Sequence, residues 1–248
     1  MTWGMMTGME PLLNPARALV VTAHPDDAEF GAGGAIAHLV QGGCAVSYCV
    51  LTDGDAGGFD PTVPRSQIPG IRRAEQRASA AALGIRDVVF LGHLDGQLTV
   101  TQDLRRDITR VIRQVRPQLV ITHSPDRNHQ KITASHPDHL AVGEATLQAV
   151  YPHARNPFAY PSLLADEGLS EWAVDQVWMM GHERPNFWFD ITDTLELKLT
   201  AIRAHASQLA HLPDLREKVI AGATRGAQAG GLRAGRLAEA YTVVDTRS

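Results

Sequence analysis

Ala18-Leu19-Val20-Val21-Thr22-Ala23-His24-Pro25-Asp26-Asp27-Ala28-Glu29 opens as a short, partly β-branched apolar run and stops at a His-Pro step. A run of this kind, ended by proline, predicts a buried strand that meets a loop. The loop then carries an imidazole and two adjacent carboxylates within one tight turn. Packing gives no reason to set Asp26 beside Asp27 at the mouth of a sheet, so the same stretch that starts the fold also points to chemistry.

The pattern continues downstream. Residues 33–41 predict a helix closed by Gly42-Gly43, and residues 45–51 predict the next strand. Residues 52–69, rich in Gly, Asp and Pro, predict a long loop, followed by a helix over 71–83 stopped by Gly84. Further strands are expected at 87–91, 118–122, 174–180 and 187–191, and helices at 104–115, 136–150 and 194–209. Residues 151–171 show no regular period and are assigned to the substrate rim. Strand and helix alternate as in a doubly wound α/β fold, a mostly parallel sheet with helices on both faces. No linker or composition break divides the chain, which reads as one domain over 1–248 with a loose leader at 1–11.

The 248 residues are 44% hydrophobic, enough for a buried core. A net charge of −4, from 23 Lys plus Arg and 27 Asp plus Glu, leaves no broad basic footprint for nucleic acid. No segment has the length and apolarity of a membrane span, and no basic stretch leads an apolar core as in a signal peptide. Cys44 and Cys49 sit in an apolar stretch without metal or disulfide spacing and are read as small core residues. These features predict a cytoplasmic protein, and a homo-oligomer is compatible with them.

Ligands of doubly wound folds collect beyond the carboxyl ends of the strands. Two clusters fall there: the turn at 23–29 and Ser135-His136-Pro137-Asp138-His139. With Ser135 or His136 as N-cap and Pro137 in the first turn, His136 and His139 share a helix face. Two imidazoles and a carboxylate bind a divalent metal and leave a position for water, so His24, Asp27 and His139 are the expected ligands. Consecutive side chains in a turn diverge, which frees Asp26 to act as a base. His136 is suited to stabilise an oxyanion or to protonate a leaving amine, and Asp138 to orient an imidazole. Zinc is the expected ion, although the same ligand set suits Fe2+ or another divalent metal. His123 and His129 lie in the intervening loop with no fixed direction.

Other readings compete. Gly31-Ala32-Gly33-Gly34 invites a dinucleotide fingerprint, but Ile36 stands where that pattern needs glycine, and the glycines are read as close-packing positions. A metal phosphoesterase would want a second metal and bridging carboxylates from a third cluster. A sugar-binding or metal-sensing module would need neither Asp26 nor His136.

Ala-His-Pro-Asp-Asp-x-Glu with trailing glycines at 23–34, combined with His-Pro-Asp-His at 136–139, resembles the LmbE-like, or PIG-L, family of zinc-dependent deacetylases. Arg72-Arg73-Ala74-Glu75, Phe90 to Gly96, Asp190-Ile191-Thr192, Lys198 and His205-Ala206-Ser207-Gln208 are similar to further family segments, so the likeness spans most of the chain. The resemblance implies a Rossmann-like sheet, zinc on His24, Asp27 and His139, Asp26 as general base, and His136 as acid or oxyanion partner. It implies removal of the acetyl group from a small-molecule N-acetylglucosamine conjugate, with hydrolysis of another acyl-amine, such as a thiol-cofactor conjugate, as the alternative. It also implies that Arg72, or its neighbour Arg73, contacts the substrate and that Asp95 meets a sugar hydroxyl.

Overall fold

The computed structural model describes residues 4–5, 10–58 and 60–247. Its eight strands form one sheet in the order β1-β7-β8-β6-β5-β2-β3-β4. β2 (Arg17–Thr22) lies in the middle of the parallel strands, paired in parallel with β3 (Ala45–Thr52) and with β5 (Leu119–His123). β4 (Asp87–His93) and β6 (Gln176–Met180) extend the parallel part on either side. The strand order therefore reverses between β2 and β5, the crevice where ligands of such sheets bind. β2 reads as an unbroken apolar run because both of its faces are covered. Ala18 and Val20 pack with Ile36, Ala80 and Ala201 on one side, and Leu19 and Val21 with Ile108, Ile112 and Val142 on the other.

The rest of the sheet departs from the parallel pattern. β8 (Ala238–Asp245) inserts antiparallel between β6 and β7 (Phe187–Asp190), and β1 (Gly4–Met5) pairs antiparallel with Trp188 and Phe187 of β7. The leader expected to be loose thus contributes an edge strand, while residues 1–3 and 6–9 lie outside the described residues. Among the described residues no helix is long and apolar enough to cross a membrane.

Among the described residues seven α-helices surround the sheet: α1 (Asp27–Gln41), α2 (Ile68–Ala82), α3 (Gln102–Val115), α4 (Pro137–Gln148), α5 (Pro161–Ala165), α6 (Leu195–Arg203) and α7 (Leu215–Ala229). α1 starts six residues before the expected position, at Asp27 itself, and the glycine run lies inside it. A Cβ on Gly31 would strike Met180, one on Gly33 would crowd Lys198, and one on Gly34 would strike Ile191. The glycines therefore admit α6 and the strand ends against α1. Through this gap Lys198 donates to the Phe30 carbonyl (2.8 Å) and to Glu239 (2.6 Å). Glu239 also accepts from the Gly34 and Ala35 amides (2.8 and 2.9 Å) and from the Tyr241 hydroxyl (2.7 Å).

Residues 151–171, expected at the substrate rim, pack along α3. Buried Arg113 of α3 donates to the carbonyls of His153, Asn156 and Ala159 at 2.9–3.1 Å, and Trp172 donates to Pro117 O at the start of β5. The segment is held along α3, returning from the far end of α4 to β6. Cys44 and Cys49 are buried and unpaired.

Candidate active site

The carboxyl ends of β2 and β5 bring the two sequence clusters together. His24 follows β2, Asp27 is the first residue of α1, His123 ends β5, and His136 caps α4, with His139 in its first turn. Asp27 receives the His24 backbone amide on Oδ2 (2.8 Å), which closes the turn. His24 Nδ1 lies 3.4 Å from Asp27 Oδ2 and 3.3 Å from His139 Nε2, and His139 Nε2 lies 3.1 Å from Asp27 Oδ1. Ligands held 2.0–2.1 Å from one tetrahedral ion stand about 3.3 Å apart, so these atoms have the spacing of a zinc-sized coordination shell.

The back of the shell is also built. His24 Nε2 faces Asp95 Oδ1 at 3.0 Å and Asp138 Oδ2 at 3.2 Å. Asp138, fully buried, is itself aimed by the amides of Gly96 (2.7 Å) and Leu98 (3.1 Å), and Asp95 Oδ2 accepts from Ala56 N. A carboxylate on the distal nitrogen fixes which ring nitrogen is left to a metal. Asp95, expected at a sugar hydroxyl, is instead buried with both oxygens engaged, one of them on His24.

His123 was given no direction by the sequence and sits inside the cluster. Its Nε2 is 3.2 Å from Asp27 Oδ2, and its ring stacks on His139 with centroids 4.0 Å apart. The signal was its position: a histidine at the carboxyl end of a strand beside β2, as His24 is at the end of β2. His129 is exposed.

Asp26 stands beside this shell and belongs to none of its ligand groupings. It has a left-handed backbone (φ 100°), its amide donates to Gln76 Oε1 (2.9 Å), and its Oδ2 lies 3.3 Å from the Arg72 guanidinium. Arg72 is buried and also donates to the carbonyls of Pro25 and Gly54; a Cβ on Gly54 or Gly57 would run into its guanidinium. Arg73 turns to Asp53 and is partly exposed. Of the two arginines, Arg72 is the one that reaches the site, and it does so from beneath Asp26.

His136 accepts the Asp138 amide on Nδ1 (3.2 Å), which places its proton on the outer Nε2, and its ring stands edge-on to His24. The remaining motifs meet behind Asp26. Glu75 of α2 receives the amide and hydroxyl of Ser207 (both 2.7 Å), and His205 contacts Glu29 (3.2 Å). Cavities flank both sides: one of 400 Å³ includes Phe30 and Gly31, a helical turn from Asp27, and one of 190 Å³ lies between Gly57, Ile68 and Gln208.

The electrostatics are those of a site that wants positive charge. Burial opposes charge on His24, but Asp138, Asp27 and Asp95 outweigh it and push the imidazole up to about 12. Burial also works against Asp27, yet His139 and His123 hold its carboxyl well below the usual range. Burial first, then the charge of Asp27, raise Asp26 to about 7 against the pull of Arg72. Burial, with His24 and His139 nearby, lowers His136 and favours its neutral form. A dication bound at His24 Nδ1, Asp27 and His139 would answer this demand, and the donor set fits one.

Fold and cluster together define an α/β protein with a strand-end His/Asp group able to hold a divalent metal. The family model for PIG-L, the GlcNAc-PI de-N-acetylases, matches residues 19–150, and the chain belongs to that family. It is 34% identical over 199 residues to a diacetylchitobiose deacetylase of Thermococcus kodakarensis, covering 80% of this chain and 72% of that protein. It is 30% identical over 204 residues to a probable N-acetyl-alpha-D-glucosaminyl L-malate deacetylase of Bacillus anthracis, covering 79% and 83%. The structure of N,N'-diacetylchitobiose deacetylase from Pyrococcus horikoshii, bound to its inhibitor, superposes with a TM-score of 0.84 at 29% identity, over 94% of this chain and 85% of that one.

Proposed function

We propose that the chain is a zinc-dependent N-deacetylase that releases acetate from a small N-acetylglucosamine conjugate. The observation that carries this reading is the 3.1–3.4 Å spacing of His24 Nδ1, the two Asp27 oxygens and His139 Nε2, beside a carboxylate, Asp26, that stands outside this set. The acetyl-amino-sugar substrates named for the Thermococcus and Bacillus relatives support the substrate class.

An amide is a poor electrophile with a poor leaving group. Zinc, when bound by His24, Asp27 and His139, acidifies a water and polarises the acetyl carbonyl. Asp26 takes the proton of the attacking water; a carboxyl raised toward neutrality is matched to that work. His136 donates its Nε2 proton in a hydrogen bond to the charge developing on the carbonyl oxygen. Because the surroundings of His136 favour the neutral ring, the proton for the departing amine comes from Asp26, which has just acquired one. Arg72 holds the Asp26 carboxylate in place, and Asp95 and Asp138 keep His24 Nδ1 turned to the metal. That last arrangement also weighs against a phosphoesterase, because Asp95 and Asp138 are already engaged with His24 and with backbone amides.

Acetate and free amine are measured across neutral, phosphorylated and carboxylated N-acetylglucosamine conjugates, with metal content in parallel. Release from at least one conjugate with about one zinc per chain is expected. Zinc-loaded protein that is inactive on every acetylated amino sugar overturns the reading, and two metals per chain with phosphate release establishes the phosphoesterase.

A further inference from the structure

The positive φ of Asp26 is a conformation that side-chain-bearing residues rarely adopt. What holds it is a buried polar chain running back through the molecule. The Asp26 amide donates to Gln76 Oε1 (2.9 Å), Gln76 Nε2 donates to Glu29 Oε1 (2.8 Å), and Glu29 Oε2 faces His205 Nε2 (3.2 Å). Gln76, Glu29 and His205 are all fully buried. They come from three elements, α2, α1 and the turn after α6, so the chain is a tertiary construction and no accident of local sequence.

Each link is fixed by its neighbours. Gln76 stands between a group that can only donate, the Asp26 N–H, and one that accepts, the Glu29 carboxylate. Its amide therefore has one satisfactory orientation. A proton on His205 Nε2 serves Glu29 and leaves Nδ1, which has no partner, as the bare nitrogen. The Asp26 carbonyl accepts from the Glu29 and Phe30 amides (both 3.1 Å), so holding its N–H as well fixes the peptide planes on both sides of Cα, and with them φ and the direction of the Cα–Cβ bond.

We propose that Gln76, backed by Glu29 and His205, is a positioning relay that holds Asp26 in its left-handed conformation, keeping the carboxylate out of the metal shell and aimed at the attacking water. Without it, the Asp26 peptide relaxes to an ordinary helix-capping conformation and the carboxylate leaves its station beside Arg72. The inference rests on Asp26 acting as the base in the deacetylase reading above.

The test uses the zinc-loaded full-length protein and the conjugate that the wild type turns over best. Gln76→Leu removes both bonds at nearly constant volume; kcat is expected to fall about a hundredfold, with KM and bound zinc within about twofold of wild type. The exchange Glu29→Gln with Gln76→Glu reverses the two middle groups yet satisfies every hydrogen bond in the chain. It is expected to recover kcat to within about threefold of wild type, while each of its single members loses at least about tenfold. The exchange series decides the matter should Gln76→Leu fail to fold. A structure of Gln76→Leu, or of Gln76→Glu alone, reads the same device without turnover, since Asp26 should leave positive φ. The relay is overturned if Gln76→Leu keeps the wild-type kcat, if its kcat falls only in step with lost zinc, if the exchange is no better than its single members, or if Asp26 keeps its φ near 100° in the variant. A wild type that deacetylates nothing strikes the function instead, and the φ measurement still decides the relay.

Discussion

Two buried groups of charged side chains flank α1, and they are built on opposite plans. At the helix start, His24, Asp27, His123 and His139 turn ring nitrogens and carboxylate oxygens toward one another at 3.1–3.4 Å. One to two turns further on, Glu239 receives Lys198, Tyr241 and two helix amides at 2.6–2.9 Å, and every charge there has a protein partner. The second group is closed and needs nothing from outside. The first crowds imidazole nitrogens and carboxylate oxygens around one another in groupings able to hold a metal ion. Burial and charge alone would class the two together; whether the polar atoms are saturated within the chain tells a structural clamp from a ligand site.

The contrast is broken most severely at the open group. His139→Ala should lose bound zinc and activity together, read by metal analysis and acetate release; a variant that retained stoichiometric zinc would remove His139 from the shell. Asp26→Asn should keep the metal and lose about a thousandfold or more in kcat, since it cannot accept the proton of water. Parental turnover with full zinc would place the base elsewhere. His136→Ala should cost about a hundredfold in kcat, the size of one lost oxyanion donor, and leave the alkaline limb of the rate profile in place.

Acidity gives a milder test. The proposed base, Asp26, would work as the carboxylate, and its pKa is raised to about 7 by burial and Asp27, so activity should fall as pH drops through that range. A bound dication pulls the carboxyl down, which sets the acid limb at or below this value. In Asp26→Asn the limb should vanish from the residual rate. At the closed group the effect on chemistry should be smallest. Lys198→Met strands the buried Glu239 carboxylate, costing about 3–5 kcal/mol, or roughly 10 °C in melting temperature. The kcat of the folded fraction should stay within about twofold. A large kcat loss at unchanged stability would mean that the clamp acts on the site directly.

The open group was the more legible in sequence because its residues come as contiguous runs, Ala23 to Glu29 and Ser135 to His139, whose chemistry is local. His123 escaped because it stands alone; nothing near it in sequence says that Asp27 waits across the sheet. Asp95 was seen but placed on substrate, because its partner, His24, is 71 positions away. In the closed group only Lys198 stood out, and only through the family resemblance, for a different reason. Glu239 lies in β8, whose small and polar residues lack clean alternation, and its antiparallel place between β6 and β7 depends wholly on distant pairing. The start of α1 differs because the helix begins inside the reactive turn, at Asp27, while the glycines keep the close-packing role read for them: they are the gap through which Lys198 and Glu239 reach the helix.

The loop over Arg72 sets a practical rule for anyone wishing to redirect substrate choice. Gly54 and Gly57 rest on the guanidinium with no room for even a methyl group. Randomising these two codons would pry the loop off Arg72 and spoil the base along with selectivity. A library confined to positions 60–64, with both glycines kept, varies the same loop while leaving Arg72 covered.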